Sequence, residues 1–297
     1  MSEDELQDEI LSLKAGVRRL RKSLTELTPP LSALLRRRGF RIFRKEPRAD
    51  LLLPGKRYVD DYYRFLNRYS FRLFLRDAIK HQEGFTIEDV TRYSTTEVTG
   101  KYIQFLLKIR LIERAGRNGP YRLKKRPVKS FGPSLEWLLS EIFKREFEAE
   151  ALWGIKFKRT AVGGDYDLIA KIDSALLCME VKSSPPKQIC APEISAFLDR
   201  ILDLRPGIAV FFMDTELRMK DKIVPMFEDE LRKRVPGDLA SYLGSQSSGE
   251  PPPVKRIEKE LFQTGDKIFI INAKDSIVNN IEKVLSRYFR KGLVSSQ

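Results

Sequence analysis

Apolar residues recur at alternating intervals of four and three near the start of the chain. These positions are Leu6, Ile10, Leu13, Val17, Leu20, Leu24 and Leu27, and Pro29-Pro30 ends the pattern. Such spacing predicts a short helix with one apolar seam of about three heptads. A seam this short needs a partner surface, either a second chain or the rest of the protein. We expect it to pair two chains in a homodimer.

A second pattern, over about residues 70–125, predicts three helices followed by a β-hairpin. The first helix has an apolar face formed by Phe71, Phe74, Leu75, Ala78 and Ile79. "TIEDV" predicts a second, short helix, and "STTE" at Ser94 to Glu97 is a capping box for the third. The face that this third helix buries comprises Val98, Tyr102, Phe105, Leu106 and Ile109. "LIERAGRNGPYRLKK" predicts the hairpin, because Asn118-Gly119 suits a tight turn.

Helical and strand patterns alternate over residues 130–297. "SLEWLLSEIFKREFEAEAL" predicts a long helix, and "GIKFKRTAV", "YDLIAKI" and "ALLCMEVKS" predict three successive strands. A helix through Ile194 and Ile201 then leads to the strand "GIAVFFMD", and "DKIFIINA" precedes a last helix over 276–290. The intervening stretch 235–255, rich in Gly, Ser and Pro, predicts a mobile loop. The fold class is therefore α/β in this part of the chain.

These patterns divide the chain into three parts. We expect a heptad helix over 1–28, a basic segment with a mainly α domain over 31–125, and an α/β domain over 130–297.

Positive charge is in excess and is locally concentrated. The chain has 55 Lys and Arg against 41 Asp and Glu, a balance of +14 that favours a polyanionic partner. One dense cluster comprises Arg36, Arg37, Arg38, Arg41, Arg44, Lys45 and Arg48. Phe40 and Phe43 lie within it, a combination that suits phosphate contact with base stacking. Exposed arginines at a helix end would give the same pattern.

Other features of the composition exclude some classes of protein. No apolar run reaches the ~18 residues of a membrane span, and no signal-peptide pattern is present, so we expect a cytoplasmic protein, with nucleoid association open. Cys178 lies in an apolar run and is expected to be a buried thiol. Because His81 is the only histidine, catalysis that needs two histidines is excluded, and a histidine-ligated zinc site is not expected. Any metal must be held mainly by oxygen.

Carboxylates interrupt two of the predicted strands. Glu180 and Lys182 are two residues apart and therefore share one face of their strand, with Val181 on the other. Asp167 begins the apolar part of the preceding strand, and a hairpin would bring it close to Glu180. Two carboxylates beside an ammonium are costly to bury unless they bind something. A hard divalent cation, Mg²⁺ or Mn²⁺, would compensate them.

The order of these elements resembles that of the PD-(D/E)xK nuclease superfamily over about residues 131–214. Glu136 in "GPSLEWLL" matches its helix acid, Asp167 its strand aspartate, and Glu180 and Lys182 its Glu-x-Lys motif. The resemblance implies a restriction-endonuclease-like mixed sheet flanked by helices. It further implies that Asp167 and Glu180 ligate Mg²⁺ or Mn²⁺, and that Glu136 assists in binding the metal or water. Lys182 would orient or activate the attacking water.

Two positions of this motif have alternatives. Asp165 competes with Asp167, and Glu141 competes with Glu136. The proline that often precedes the aspartate in the superfamily is missing here. We favour Asp167, because it directly precedes the apolar "LIA" and so lies on the strand itself.

The region 70–125 resembles a winged helix-turn-helix domain, in which the third helix enters the major groove and the wing contacts the DNA backbone. The positions that this resemblance places toward DNA are Thr96, Thr99, Lys101, Gln104, Lys108, Arg114, Arg117, Arg122, Lys124 and Lys125. Many winged helices bind proteins instead of DNA, but the basic hairpin favours DNA.

The leading hypothesis is therefore a metal-dependent DNA endonuclease that hydrolyses phosphodiester bonds and binds DNA through the winged helix. One alternative is a DNA-binding regulator or architectural protein that keeps a nuclease fold without activity. A second alternative is an assembly protein whose heptad helix and winged helix bind other proteins.

Overall fold

The computed structural model describes residues 7, 9–10, 12–17, 19–20, 23, 29–116, 119–158, 162–234, 238–243 and 251–294. Ten strands are present in this part of the chain: β1 Arg41–Arg44, β2 Ile112–Arg114, β3 Tyr121–Leu123, β4 Glu150–Lys158, β5 Tyr166–Ile172, β6 Ala175–Lys182, β7 Ile208–Met213, β8 Lys255–Glu258, β9 Leu261–Thr264 and β10 Ile268–Asn272. β2 and β3 form a separate antiparallel hairpin, and the other eight form one sheet.

The helices over the described ranges are α1 Leu31–Arg37, α2 Val59–Leu66, α3 Tyr69–Lys80, α4 Thr96–Lys108, α5 Gly132–Glu146, α6 Ala191–Leu204, α7 Ile223–Lys233, α8 Asp238–Leu243 and α9 Ile277–Val294. Short 3₁₀ turns occupy Lys56–Tyr58, Glu88–Val90 and Pro186–Gln188. No helix of the described chain combines the length and the apolar character needed to cross a membrane.

The large sheet is mixed, with the strand order β1-β4-β5-β6-β7-β10-β9-β8. The pairs β1–β4, β4–β5 and β5–β6 are antiparallel, whereas the pairs β6–β7 and β7–β10 are parallel. Two further antiparallel pairs add β9 and β8 at the far edge. α6 makes the crossover between the parallel strands β6 and β7. The predicted succession of helix, three strands, helix and strand over 131–214 is present.

Both faces of the sheet are covered, so its central strands are apolar on both sides. On one face, Leu168, Leu177 and Phe212 belong to a core that also contains residues of α5 and α9. On the other face, residues of α6, α7 and α8 pack over Phe211 and Ile270. α1 covers the β4–β6 part of that second face, where the free thiol of Cys178 is buried as expected.

The helical region before the sheet shares its core with the sheet. α2, α3, α4 and the β2–β3 hairpin contribute side chains to the same cluster as α5. The apolar faces predicted for α3 and α4 are buried, with Val98 only half-buried. Arg72 of α3 is 1% exposed and pairs at 2.9 Å with Asp214, which follows β7 and is fully buried. Arg76 also binds Asp214. A winged-helix identity and its use for DNA remain predictions.

Several element boundaries differ from those that the sequence predicts. The long helix ends at Glu146, because Glu148 adopts a positive φ of 48° and β4 begins at Glu150. The stretch taken as a mobile loop contains α8, whose Tyr242 is buried and donates a hydrogen bond to the Pro206 carbonyl at 2.8 Å. Thr95, not Ser94, caps α4, because its hydroxyl accepts the Val98 N–H at 3.3 Å.

The basic segment 36–48 lies against the large sheet. β1 forms the edge strand beside β4, and Leu31 and Leu35 of α1 are buried on the same part of the sheet. The sequence groups these residues with the helical domain, because a four-residue strand of "RIFR" has no clear alternation.

The described part of the predicted heptad helix is helical and exposes its apolar residues. Ile10, Leu13, Val17 and Leu20 are 41–72% exposed in the single chain. Leu6, Leu24 and Leu27 lie outside the described residues. Pairing of two chains through this seam stays a prediction.

Candidate active site

Two carboxylates meet across the β5–β6 pair. Leu168 pairs with Met179 in this antiparallel ladder, so Asp167 and Glu180 lie directly opposite each other. An Asp167 carboxylate oxygen accepts the Val181 N–H at 2.7 Å, which fixes its position. Glu180 is 5% exposed. The predicted proximity of the two acids is therefore present.

A third carboxylate, that of Glu136 on α5, lies nearby. Its approach to β4 depends on the glycine at position 154 of that strand. Gly154 adopts a positive φ of 55°, and it falls between the pairs that β4 makes through Trp153 and Ile155. A Cβ atom on Gly154 would lie 3.5 Å from Glu136 Oε2 and only 2.4 Å from Pro47 Cδ. The missing side chain lets β4 approach both groups closely.

Burial and neighbouring charges shift the pKa values of Glu136 and Asp167. Burial, together with the charges of Glu180 and Asp165, raises the pKa of Glu136 to about 7. Burial and the charges of Glu180 and Glu136 also raise the pKa of Asp167 well above its usual range, although the Val181 N–H opposes this shift. Carboxyl groups that share a site favour protonation, because their negative charges repel in a poorly solvated space. A bound cation would relieve this repulsion.

Two cations already contact Glu180. Lys182 Nζ lies 3.0 Å from one of its oxygens, and an Arg200 nitrogen on α6 lies 2.5 Å from the other. Burial alone would lower the pKa of Lys182, but Glu180 and Glu193 raise it, since Glu193 also lies 3.0 Å from the ammonium. Glu180 and Lys182 thus share a face, as the sequence predicts, and both are held by groups on α6.

No group of three or more His, Cys, Asp or Glu side chains in the described ranges is arranged to ligate a metal ion. The pairing of both Glu180 oxygens with cations is consistent with this. The kind of ligand atom still suits a hard divalent cation, because Glu136, Asp167 and Glu180 offer only carboxylate oxygens. Their negative charges also repel, and a bound cation would reduce that repulsion.

The two alternative acids are each paired with cations. Asp165 precedes β5 and pairs with Arg44 at 2.5 Å and Lys156 at 3.5 Å, with 38% of its side chain exposed. Glu141, one and a half turns beyond Glu136, pairs with Arg145 at 2.9 Å and Lys144 at 3.6 Å. We call Glu136, Asp167 and Glu180 the carboxylate cluster. Asp165 lies close enough to it for its charge to raise the pKa of Glu136, and the choice between Asp165 and Asp167 as a ligand stays a prediction.

Sequence reasoning missed Arg200 and Glu193, the two α6 residues that contact the site. They are seven residues apart, which is about two helical turns, so they share a face of α6. This spacing, on the helix that directly follows the Glu-x-Lys strand, was the available signal. Glu193 additionally accepts the Cys190 N–H at 3.0 Å at the start of α6.

Only some of the residues predicted to face DNA are exposed to solvent. Thr96, Gln104, Lys108 and Lys124 are exposed, and Lys101 is exposed but pairs with Glu97 at 2.6 Å. Thr99 is fully buried and bonds Ser94 at 2.8 Å, so its assignment to the DNA-facing surface was wrong.

In the hairpin, the basic residues are partly engaged with other groups of the protein. Arg122 pairs with Glu113 at 2.8 Å, and Lys125 donates to the carbonyls of Arg48 and Leu51. Arg114 is exposed and packs over the Tyr121 ring. Arg117 lies outside the described residues.

Comparison with known proteins gives only distant likenesses. No protein-family model matches the chain. No curated protein matches it either. Can2 from Sulfobacillus thermosulfidooxidans, solved in complex with cyclic tetra-adenylate, is similar with a TM-score of 0.36 and 18% identity, over 59% of this chain and 48% of that one. Protein VC1899 from Vibrio cholerae gives a TM-score of 0.39 and 17% identity, over 65% and 53%. The chain spans about half the length of these two proteins.

Proposed function

We propose that this protein is a metal-dependent nuclease that hydrolyses phosphodiester bonds in DNA. The observation that carries the proposal is the convergence of Glu136, Asp167 and Glu180 beside Lys182 at one end of a mixed sheet. Their shared burial raises two carboxyl pKa values, a cost that a bound cation and a phosphate would offset.

Each residue has a role in this proposal. Asp167, Glu180 and Glu136 would hold Mg²⁺ or Mn²⁺, which would supply positive charge to the scissile phosphate and its leaving oxygen. Lys182 carries a positive charge that Glu180 and Glu193 keep in place, and it would orient the attacking water. The exposed cations of α4 and the β2–β3 hairpin, among them Lys108 and Lys124, would bind duplex phosphates.

The test is cleavage of end-labelled DNA by matched variants. A panel of duplex, junction, flap and single-stranded DNA is incubated with Mg²⁺, Mn²⁺ or EDTA. We expect cleavage with either metal and none with EDTA. Asp167→Asn keeps the size of the side chain but loses the charge that binds the cation, so cleavage should fall by orders of magnitude while DNA binding persists. Asp165→Asn should be much milder.

A second pair of variants separates the site from the rest of α5. Glu136→Gln removes a clustered charge, whereas Glu141→Gln removes a charge on the same helix that pairs with Arg145. Only the first should reduce cleavage strongly. Full activity in Asp167→Asn and Glu136→Gln together would end the nuclease proposal at this site.

A DNA-binding protein without cleavage activity is the second candidate. It is favoured by the pairing of both Glu180 oxygens with Lys182 and Arg200, which satisfies that carboxylate in the absence of a metal. Calorimetric titration with Mn²⁺ separates the two candidates, because heat of binding that Asp167→Asn abolishes supports the nuclease. Salt-dependent DNA binding without metal binding would support the second candidate.

A further inference from the structure

The edge strand β1 and its neighbour β4 together present four basic side chains and one aromatic side chain. We call the surface that they form the edge surface and define it by Arg41, Phe43, Arg44, Lys156 and Lys158. Arg41 pairs in register with Lys158, and Arg44 with Lys156, so four cations lie on one face of two strands. Like charges placed directly opposite each other are unfavourable, and Asp165 compensates the Arg44–Lys156 pair.

An exposed phenylalanine lies among these cations. The register shifts between Ile42 and Arg44, which leaves Phe43 as the extra residue of a β-bulge. Its ring is 65% exposed, and Lys158 Nζ lies 5.9 Å from the ring centroid. Phe40, three residues earlier, is not presented to solvent in this way. Its ring packs on that of the buried Phe157, with the ring centroids 5.0 Å apart. The bulge therefore directs one aromatic ring to solvent.

The edge surface leads to the carboxylate cluster. Lys158 and Lys156 are two residues apart on β4 and share one face. Gly154 follows two residues nearer the start of β4, and a Cβ on it would lie 3.5 Å from Glu136 Oε2. Asp165, two residues before Asp167, pairs with both Arg44 and Lys156. A nucleic-acid strand bound along these cations would therefore lead to the carboxylate cluster.

We propose that the edge surface binds an unpaired nucleic-acid strand and leads it to the carboxylate cluster. The cations would contact successive phosphates, and Phe43 would stack on one base. An aromatic ring needs an open base face, which a duplex hides within its own stack, so this arrangement selects a single strand. The inference deepens the proposed function, since it names the form of the substrate near the cleaved bond, and it rests on that function only for the cleavage step.

The binding test uses the full-length protein in EDTA, so that no cleavage occurs. The two native tryptophans, Trp137 and Trp153, are 7% and 2% exposed, and Phe43→Trp therefore adds the only exposed indole among the described residues. We expect its emission to be quenched by oligo(dT) or oligo(U) but not by a blunt duplex. The oligonucleotide that binds more tightly shows whether the strand is DNA or RNA.

Affinity measurements complete the test. Phe43→Ala should weaken single-strand binding roughly 5- to 100-fold and leave duplex affinity in place. Lys158→Gln should reduce the log–log salt slope on a single strand by about 0.7. Lys255→Gln changes an exposed lysine on β8, the opposite edge strand, and should leave the slope unchanged.

The outcomes for the two proposals are separable. Equal quenching by duplex and single strand, or unchanged single-strand affinity in Phe43→Ala, would overturn the inference even if the protein cleaves DNA. Normal single-strand binding without any metal-dependent cleavage would instead contradict only the nuclease.

Discussion

Glu136 makes stability depend on pH in a direction opposite to that of most carboxylates. Its pKa is raised to about 7 in the folded protein, against 4.5 as its ordinary value, so the folded state holds the proton more tightly than the unfolded state. Stability from this group is fully present below pH 4.5 and is lost as the pH rises to about 7. The loss is on the order of 3 kcal/mol, at 1.4 kcal/mol for each pH unit.

Urea unfolding in EDTA between pH 4.5 and 8 measures this effect. The free energy of unfolding should fall with pH in the native protein relative to Glu136→Gln, which cannot ionise. Parallel pH curves for the two proteins would show that Glu136 is not perturbed as described.

Arg200 is expected to act on the site through Glu180. Both side chains are buried, and removing one partner of a buried ion pair leaves an uncompensated charge. Arg200→Gln should therefore lower stability in EDTA by about 3 kcal/mol or less, because Lys182 still contacts Glu180. Mn²⁺ should restore part of the loss, since a cation bound to Glu180 replaces the guanidinium.

Thermal unfolding with and without Mn²⁺ checks this prediction. Arg234→Gln is the matched control, because Arg234 pairs with Asp199 at 2.5 Å outside the carboxylate cluster. It should lose stability without any recovery in Mn²⁺. Equal recovery in both variants would mean that Arg200 has no special relation to the site.

At the scale of elements, the site depends on the glycine at position 154 of β4. Gly154→Ala places a Cβ where φ is 55° and where Pro47 Cδ would lie at 2.4 Å. A left-handed conformation costs a residue with a side chain about 1–2 kcal/mol, and the contact with Pro47 adds to that. The midpoint of urea unfolding should fall clearly, whereas Gly163→Ala, with open space around its Cβ, should change it little. Similar midpoints would show that β4 accommodates a side chain there.

Sequence patterns predicted the elements that bury a regular apolar face. The strands around Asp167 and Glu180 alternate or are wholly apolar, and α3 and α4 have apolar residues at helical spacing. That regularity is enough to bring Asp167, Glu180 and Lys182 together, because strand pairing determines their proximity.

Short or irregular elements escaped prediction for physical reasons. β1 has only four residues, three of them exposed, and gains its conformation from pairing with β4. α8 lies in a polar, glycine-rich stretch and is held by tertiary contacts such as that of Tyr242. The contact of Arg200 with Glu180 joins residues 20 positions apart, and the spacing of Glu193 and Arg200 on α6 is the one signal for it in the sequence.

For the whole molecule, the exposed heptad seam predicts self-association. Leu13 and Leu20 are 62% and 72% exposed on the single chain, a cost that pairing of two helices would remove. Deleting residues 1–28 should convert a dimer into a monomer, so that the mass measured by light scattering falls to slightly less than half. The same number of chains per particle in both forms would mean that the seam serves another purpose.

The pairing of Arg72 and Arg76 with Asp214 has a consequence for how such a protein can change over evolution. The bond joins a helix of the first half to the end of a central strand of the second, inside a core that both halves share. Neither half keeps its buried charges neutralised when it is alone, so the two are expected to melt in one cooperative transition. Recombination could therefore not replace the helical half with an unrelated domain without leaving Asp214 buried and unpaired. A change in the ligand that the protein binds would instead have to arise by point substitution on surfaces away from the pairs that Arg72 and Arg76 make with Asp214.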